Sequence, residues 1–434
     1  MKYFGTDGVR GIAYEKLNPT FAFKLGQGIY HAFKPQEVVI GMDTRESSSM
    51  LSFAIANGLM ALGVNILYAG VVSTPMLAYY ARSKDLIGIM ITASHNPYTD
   101  NGIKVFNKGY KTHEEDELKI ESFIDEGVIS YQTFGKMIKT DDVTQLYLNL
   151  YDSLDLPHFH LRVGYDCANG ANYQIAQTIM NRYVDHSIQI HGNPDGLNIN
   201  LNCGSTHLDA IKELVKEQKL EIGFSFDGDG DRIMVVDQNQ KVYDGDLLIY
   251  VISKYLKYKN LLNQNKVVLT KMSNPGLLKA LSDHGISAHL TDVGDKYVYQ
   301  ALSEQSLSIG GESSGHIIIP YLLHTGDGLL VALFLLKVLH EMNQSLEELT
   351  QDLTLFPFKL TNIKGIHKSV LNLPAVQEEI NRAKMELSKH SLCLIRPSGT
   401  EDLIRITISD ESEETVLKVT QRLVDIISKE GIHQ

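Results

Sequence analysis

Three aspartates alternate with glycines in one short stretch of the chain: Asp227, Asp229 and Asp231. Glycine permits tight backbone turns, so carboxylates two residues apart can point at a single position. Hard oxygen ligands on such a loop suit Mg²⁺ or Ca²⁺. An EF-hand is excluded, because Arg232 stands at its sixth position and Gln238 at its twelfth. Without a cation the three acids would repel one another, so the spacing predicts a metal site, with Arg232 placed to reach a phosphate.

A lone serine, Ser94, follows the apolar residues 86–91 and precedes His95, Asn96 and Pro97. The apolar run is short and β-branched, which predicts a buried strand with Ser94 just beyond its carboxyl end. Ligands bind at that edge of open α/β sheets. From this stretch alone, a turn-capping role and a chemical role for Ser94 both remain open.

Further loops carry polar side chains between apolar strands. A glycine-rich loop at residues 309–319 holds four candidates for recognising sugar hydroxyls: Glu312, Ser313, Ser314 and His316. Near the C-terminus, guanidinium groups, hydroxyls and free backbone N–H groups form a combination that suits a phosphate: Arg396, Ser398, Gly399, Thr400 and Arg405. The glycine-rich residues 3–11 add Arg10 as a candidate anion ligand. Each of these stretches, taken singly, is also compatible with an ordinary surface turn or polar loop.

Composition narrows the classes of partner. The chain has 434 residues and a formal net charge of −12, so neither nucleic acid nor an anionic membrane is expected as a partner. No apolar stretch approaches the roughly 20 residues that cross a bilayer, and the first residues lack the apolar segment of a signal peptide. The three cysteines lie far apart and form no metal-binding spacing, which favours a reducing, cytoplasmic location without disulfides.

Alternating strand-like and helix-like patterns must bring these loops together. Residues 38–67 read as strand, helix and strand, and the rhythm restarts near residues 161 and 266. This predicts mostly parallel sheets with helices on both faces, in three successive α/β units. After about residue 356, short strands and two amphipathic helices predict a small α+β unit. Each constellation falls in a different predicted unit, and the meeting of domains is a common place for a ligand.

Taken together and in chain order, four motifs resemble those of the α-D-phosphohexomutase superfamily: TASHNP around Ser94, DGDGDR at 227–232, GESSGH at 311–316 and RPSGTE at 396–401. The resemblance covers nearly the whole chain. It implies an α/β fold of four domains in a heart shape, three related α/β domains followed by a smaller α+β domain. The implied boundaries place the serine, metal, sugar and phosphate loops in domains I to IV in turn: 1–150, 151–250, 251–357 and 358–434.

Three positions depart from the pattern common in that superfamily. Ser313 stands where glutamine is common, Lys296 where arginine is common, and Asp402 where proline usually follows RPSGTE. These departures bear on the substrate more than on the reaction.

The resemblance also implies a mechanism. A phosphorylated Ser94 passes its phosphoryl group to a sugar monophosphate and recovers the other phosphate after the bisphosphorylated sugar, which also serves as primer, has turned over in the site. Ser94 and the three aspartates would hold one Mg²⁺ per active site. Arg10, Lys104 and Arg232 would offset the remaining charge, with Lys104 as the first candidate for proton transfer and His95 as the second. The sugar phosphate would be bound by the polar groups of the later loops: Arg232, Glu312, Ser314, His316, Arg396, Ser398, Gly399, Thr400 and Arg405.

Within the superfamily, residues 4–11 and 193–207 are similar to the bacterial phosphoglucosamine mutases. This implies a cytoplasmic isomerase that interconverts glucosamine 6-phosphate and glucosamine 1-phosphate and feeds synthesis of UDP-N-acetylglucosamine, a cell wall precursor. A phosphomannomutase/phosphoglucomutase with the same mechanism remains an alternative.

From the residues alone, two other classes of protein also remain: a haloacid dehalogenase phosphatase with Asp227 as nucleophile, and a sugar-phosphate sensor without activity. Phosphate on Ser94 would exclude the phosphatase, and turnover by the primed enzyme would exclude the sensor.

Overall fold

The computed structural model describes residues 2–5, 7–126, 133–397 and 403–432. Across these residues the strands form four sheets. Within the same ranges, no helix combines the length and the apolar character that a membrane crossing would need.

The first sheet and its helices come from the first third of the chain. Its strands are β1 (Phe4–Gly5), β2 (Gly8–Ile12), β3 (Glu37–Met42), β4 (Asn65–Val71), β5 (Ile87–Ile91), β6 (Asp100–Asn107), β7 (Tyr110–Lys111) and β8 (Met137–Lys139). The helices are α1 (Pro19–Phe33), α2 (Glu46–Met60), α3 (Thr74–Ser83), α4 (Glu114–Glu126) and α5 (Asp142–Asp152). The strand order is β1-β2-β6-β5-β3-β4-β8, with β7 beside β6.

The expectation of mostly parallel pairing is wrong for this sheet. Strand β3 is parallel to β4 and β5, but β6 runs antiparallel to β5 and to β2. The loop from β5 to β6 spans only residues 92–99, which is too short for the crossover that a parallel connection requires. The antiparallel return places the loop that carries Ser94 directly between two central strands.

The second and third sheets repeat a smaller α/β pattern. The second contains β9 (Phe159–Asp166), β10 (Val184–Ile190), β11 (Ile222–Phe226), β12 (Ile233–Asp237) and β13 (Val242–Tyr243), with α6 (Tyr173–Tyr183) and α7 (Asp209–Glu217). The third contains β14 (Lys266–Thr270), β15 (Ser287–Thr291), β16 (Gly310–Gly311) and β17 (Ile317–Ile318). Its helices are α8 (Gly245–Tyr258), α9 (Pro275–Asp283), α10 (Asp295–Gln305), α11 (Gly328–Met342) and α12 (Leu346–Thr350). Both sheets have parallel pairs at the centre and an antiparallel edge.

The fourth sheet is antiparallel, with the order β18-β20-β19. It is built from β18 (Phe358–Lys364), β19 (Leu392–Pro397) and β20 (Leu403–Ser409), with α13 (Pro374–Glu386) and α14 (Glu413–Ile432). Short 3₁₀ helices lie elsewhere in the described chain, at Gly204–Thr206, Asn263–Asn265 and Lys368–Asn372.

A continuous hydrophobic core joins the first three sheets. Leu77 on α3, Phe224 on β11 and Leu269 on β14 are fully buried members of one cluster. The fourth sheet packs a core of its own, which includes Ile404 on β20 and Val419 on α14. The serine, metal and sugar loops therefore stand on one closely packed frame, because dense cores hold their surface loops in fixed relation.

Candidate active site

Ser94 lies three residues beyond the end of β5, at the sheet edge that the sequence predicts. Its backbone is in the left-handed region, with φ +53°, and its N–H donates to Thr92 Oγ1 over 2.9 Å. The Ser94 hydroxyl is buried and donates to Asp227 Oδ2 at 2.6 Å. The serine loop of the first sheet thus meets the aspartate loop of the second.

The aspartate loop connects β11 to β12 and converges as its spacing predicts. Asp227, Asp229 and Asp231 are all buried, and an oxygen of each lies within 4.8 Å of the others. Gly230 has φ +78°, and a Cβ there would lie 2.4 Å from Asn172 Nδ2, so this turn requires glycine. Among the described residues, Oδ1 of Asp229 and Oδ1 of Asp231 have no hydrogen-bond partner. Three buried carboxylates with an oxygen each this close together, two of them with an oxygen that makes no hydrogen bond, fit a divalent cation with oxygen ligands.

The pKa values of Asp227 and Asp231 on this loop are shifted in opposite directions. Burial, with the charges of Asp231 and Asp229, raises the pKa of Asp227 well above its usual range. Burial also opposes ionisation of Asp231, but Lys104 and His316 hold the pKa of Asp231 well below its usual range. Opposite shifts of this kind are expected when carboxyl groups share a buried site and only one of them lies close to cations.

Lys104, on β6, lies at the centre of the acids. Its Nζ is 2.8 Å from Asp229 Oδ2, 3.1 Å from Asp231 Oδ2 and 3.0 Å from Asp7 Oδ2. Burial opposes the charge, yet these three carboxylates keep the pKa of Lys104 well above its usual range. The Lys104 ammonium therefore offsets the negative charge of the loop, and because it is already protonated it does not accept a proton.

Two arginines predicted to bind phosphate flank the cluster. Arg10 Nη2 lies 2.6 Å from Asp7 Oδ2. The backbone N–H of Arg232 donates to Asp227 Oδ1 at 3.1 Å, and its Nε lies 3.8 Å from Asp231 Oδ1. About a quarter of each side chain is exposed, 28% for Arg10 and 21% for Arg232, so both guanidinium groups remain available to an anion.

His95 lies next to the hydroxyl of Ser94, with Nδ1 3.3 Å from Oγ. Burial and the charges of Arg232 and Arg10 lower the pKa of His95 to about 4. The imidazole is therefore neutral at physiological pH, and the same causes make it a weak base.

The sugar loop between β16 and β17 packs against the same cluster. Glu312 Oε1 accepts from the N–H of Gly294 at 3.0 Å, and Gly315 O accepts from Ile233 N at 3.1 Å. His316 lies between two acids, 3.6 Å from Asp231 Oδ1 and 3.5 Å from Asp295 Oδ2. Although burial opposes it, these acids raise the pKa of His316, so His316 ties the sugar loop to the metal loop.

A cleft of about 750 Å³ opens beside this cluster. Its walls include Lys111, Asp295, Lys296 and His316. Lys111 contacts both Asp295 and Asp7, and so links the third sheet to the first. Ser314, on the sugar loop, has an Oγ that is buried and lacks a hydrogen-bond partner within the described chain. A cleft of this size can hold a hexose phosphate, but neither Ser94 nor the three aspartates line it, and of the predicted sugar-loop residues only His316 does.

The fourth predicted constellation stands apart. Arg396 on β19 and Arg405 on β20 are directly paired across the fourth sheet, and Arg405 Nε donates to Asn362 Oδ1 at 3.1 Å. Burial and the neighbouring Arg405 lower the pKa of Arg396. Ser398, Gly399 and Thr400 lie outside the described residues. Within the described ranges, neither arginine has a hydrogen bond or ion pair to Ser94 or to the aspartate loop, so the structure brings three of the four constellations together.

Sequence reasoning missed several residues that hold the site. Asp7 stands in the same glycine-rich stretch as Arg10, and its position there was the available signal. Thr74, at the start of α3, donates from Oγ1 to Asp229 Oδ2 at 2.5 Å and from its N–H to Asp229 O at 2.9 Å. Arg45 donates to the backbone carbonyl of Ser94. It follows β3, which neighbours β5, so its position at the same sheet edge was the available signal. Asn200 donates to the backbone carbonyl of Ser94 from the second α/β unit, and nothing in the sequence around Asn200 indicates this contact.

Four family models match successive stretches of the chain between residues 1 and 426. They are described as phosphoglucomutase/phosphomannomutase alpha/beta/alpha domain I at residues 1–128, domain II at 142–241, domain III at 244–356 and the C-terminal domain at 357–426. The phosphoglucosamine mutase of Streptococcus sanguinis strain SK36 is 41% identical over 444 residues, covering 99% of both chains. That of Streptococcus pneumoniae serotype 4 is 40% identical with the same coverage.

Solved structures show the same fold. A phosphoglucomutase/phosphomannomutase family protein from Burkholderia thailandensis has a TM-score of 0.81 at 20% identity, covering 98% of this chain and 97% of that one. The N-acetylphosphoglucosamine mutase of Aspergillus fumigatus, solved with GlcNAc-6P and magnesium, has a TM-score of 0.65 at 15% identity, covering 99% and 96%.

Proposed function

The chain belongs to the phosphoglucomutase/phosphomannomutase family, and on that premise we propose that it interconverts glucosamine 6-phosphate and glucosamine 1-phosphate through a phosphoserine at Ser94. Membership makes it an isomerase that moves a phosphoryl group. The observation that carries the role of Ser94 is its 2.6 Å hydrogen bond to Asp227, at a cluster of buried carboxylates. The choice of substrate rests on the streptococcal relatives, which match over the whole chain.

The reaction consists of two phosphoryl transfers. In the first, the bond between phosphorus and Ser94 Oγ breaks, a bond to a sugar hydroxyl oxygen forms, and the proton of that hydroxyl is transferred in net to Ser94 Oγ. The second transfer returns the other phosphate of the bisphosphorylated sugar to Ser94. Because such transition states are loose, the residues must position the groups and balance charge rather than attack. Arg10 and Arg232 are available for that purpose, since a serine phosphate carries a charge of about −1.5 to −2.

The metal is proposed to be Mg²⁺, one per site. Asp227, Asp229 and Asp231 would hold it together with the phosphate of Ser94, because their converging oxygens suit a hard cation. When bound, Mg²⁺ neutralises charge on the transferring phosphoryl group. The magnesium in the Aspergillus fumigatus relative supports this choice.

The proton that Ser94 Oγ gains in the first transfer and loses in the second is proposed to pass through His95 rather than Lys104. His95 is neutral and lies 3.3 Å from Ser94 Oγ. Three carboxylates keep Lys104 protonated, so the role proposed for Lys104 is to balance negative charge. This reverses the order of the two candidates that the sequence suggested.

The phosphate that does not react needs a fixed cradle while the sugar is bound in two opposite orientations. We assign that cradle to the C-terminal loop: Arg396, Ser398, Gly399, Thr400 and Arg405. Paired guanidinium groups, such as Arg396 beside Arg405, suit bidentate phosphate recognition. Glu312 and Ser314 would bind the sugar hydroxyls from the opposite side.

The proposal is tested by a substrate panel. The enzyme would be assayed with Mg²⁺, a trace of bisphosphorylated sugar, and the 1-phosphates of glucosamine, glucose and mannose in parallel. We expect kcat/KM to be highest for glucosamine 1-phosphate. Equal or higher kcat/KM for glucose or mannose phosphate would overturn the substrate assignment and favour a phosphomannomutase/phosphoglucomutase.

A further inference from the structure

The backbone carbonyl of Ser94 is held by two side chains from different sheets. Arg45 Nη2 donates to it at 3.0 Å and Asn200 Nδ2 at 2.8 Å. The same two nitrogens donate to the carbonyl of Asn96, at 2.8 Å and 3.0 Å respectively. A carbonyl oxygen has two lone pairs, so the hydrogen-bonding capacity of Ser94 O is filled.

Arg45 braces the serine loop from within the first sheet. Its side chain is buried, its Nε pairs with Asp43 Oδ2 at 2.9 Å, and its Nη1 donates to Asp100 O at 3.1 Å and to Pro97 O. The guanidinium group therefore ties both ends of the loop between β5 and β6. This brace fixes the loop to its own sheet, and by itself it does not relate Ser94 to the metal loop.

Asn200 supplies the contact from the second sheet. It lies in the segment 193–207, which the reaction as proposed does not otherwise use. The buried carboxylate of Asp166 anchors this region, accepting from Ala168 N at 2.8 Å and from Gly204 N at 2.9 Å. The N–H of Asn200 in turn donates to Ala168 O at 2.9 Å. Asn200 is thus held by the carboxyl end of β9, next to the strand that leads into the aspartate loop.

The metal loop passes directly over this contact. A Cβ at position 228 would lie 2.6 Å from Ser94 O and 2.8 Å from Asn200 Nδ2, so Gly228 is required there. Because Gly228 stands between Asp227 and Asp229, any movement of the Ser94 carbonyl would move the serine relative to both carboxylates.

We propose that Asn200 is a positioning residue for phosphoryl transfer, which keeps Ser94 aligned with the aspartate loop throughout the cycle. This inference rests on the proposed phosphoserine function of Ser94. The Ser94–Asp227 hydrogen bond uses the hydroxyl proton and is lost once Oγ carries phosphate. The Asn200 bond uses the backbone carbonyl and is available in both states, so it can hold the alignment when the hydroxyl contact is absent.

The test uses the full chain and three variants. Asn200 has φ +57°, so Asn200→Gly removes the donor without backbone strain. Asn200→Asp keeps the shape and replaces the donor with a carboxylate oxygen, which also adds a charge, and it provides the same test should the glycine variant not fold. The matched control is Asn198→Gly, since Asn198 makes a similar pair of bonds inside its own loop, to Asn193 O and from Asp195 N. Each protein is mixed with glucose 1,6-bisphosphate and Mg²⁺, and phosphate on Ser94 is followed by intact mass alongside steady-state kinetics.

We expect both Asn200 variants to show about a tenfold lower rate of Ser94 phosphorylation and a similarly lower kcat, as for the loss of the amide donor that binds Ser94 O and Asn96 O. KM should stay within about twofold, because Asn200 is not placed to touch the sugar. Asn198→Gly should match wild type. Wild-type rates in both Asn200 variants, or an equal loss in Asn198→Gly, would overturn the positioning role. Absence of phosphate on Ser94 in the wild type would instead overturn the proposed function.

Discussion

The hydroxyl of Ser94 donates to Asp227 Oδ2 across 2.6 Å, although the two residues are 133 positions apart. Ser94 belongs to the first sheet and Asp227 to the second, and one hydrophobic core holds the two sheets together. This contact brings the carrier oxygen to the carboxylates that would bind the metal.

Removing the hydroxyl of Ser94 should stop turnover. Ser94→Gly tolerates the φ of +53° that Ser94 adopts, so we expect a folded enzyme whose kcat falls by at least about 1,000-fold, because the phosphate carrier is gone. Ser306, which also has φ +53°, offers a matched control, and Ser306→Gly should leave kcat unchanged. An Ser94→Gly enzyme with a tenth of normal activity would contradict the carrier role.

Asp229→Asn should weaken the metal site. Asp229 Oδ2 is already engaged by Lys104 and Thr74, so the unpartnered Oδ1 is the atom available to a cation. We expect the Mg²⁺ concentration for half-maximal activity to rise by about 10- to 100-fold, the usual scale for a disturbed metal site. Asp237→Asn, at the end of β12 and outside the cluster, is the control. Unchanged activity at limiting Mg²⁺ would show that the metal binds elsewhere.

Lys104→Met should destabilise the protein most when Mg²⁺ is absent. Loss of the ammonium leaves the buried Asp229 without its ion-pair partner and removes one cation from Asp7 and Asp231, a change that typically costs about 3–5 kcal/mol. Lys108→Met, which breaks an exposed pair with Asp85, should cost less than about 1 kcal/mol. Thermal midpoints with and without Mg²⁺ measure both effects. A similar fall for the two variants, or no rescue of Lys104→Met by Mg²⁺, would contradict this charge balance.

Asp246, in the first turn of α8, predicts a pH dependence of stability. Burial and the charge of Asp244 raise the pKa of Asp246 from 3.8 to about 7. The folded state therefore keeps a proton that the unfolded chain loses between these values. Its contribution to stability is full below pH 4 and declines as the pH rises towards 7.

Asp246→Asn cannot ionise and so should escape that decline. Its amide can still serve the Ser273 hydroxyl and the Asn274 N–H that now contact the carboxylate. We expect the melting temperature of Asp246→Asn to exceed that of wild type by more at pH 8 than at pH 5. A difference that does not change between these two pH values would show that Asp246 titrates normally.

Local patterns predicted the local geometry of the aspartate loop and of the strand before Ser94. The spacing of the aspartates with glycine between them fixes a tight turn, and that turn does converge on one position. The apolar run before Ser94 forms a fully buried strand, β5, as its composition indicates. Such features depend on neighbours in the chain, so the sequence carries them directly.

Contacts between distant segments could not be predicted in the same way. Nothing near Asn200 in the sequence indicates that its amide reaches Ser94, because the contact exists only once two sheets have packed together. The antiparallel return of β6 was also missed, since periodicity identifies a strand but gives no direction for its partner. The charge-balancing role proposed for Lys104 could not be predicted either, because its carboxylate partners come from two different sheets.

The central claim is that the phosphate on Ser94 is transferred to the sugar, and a rapid-quench experiment tests it most directly. Enzyme carrying radiolabelled phosphate on Ser94 would be mixed rapidly with excess glucosamine 1-phosphate and Mg²⁺, then quenched at intervals. We predict that the label leaves Ser94 and enters the sugar at a rate equal to or faster than kcat. Label that stays on Ser94 through many turnovers, or that is found on Asp227, would contradict the mechanism.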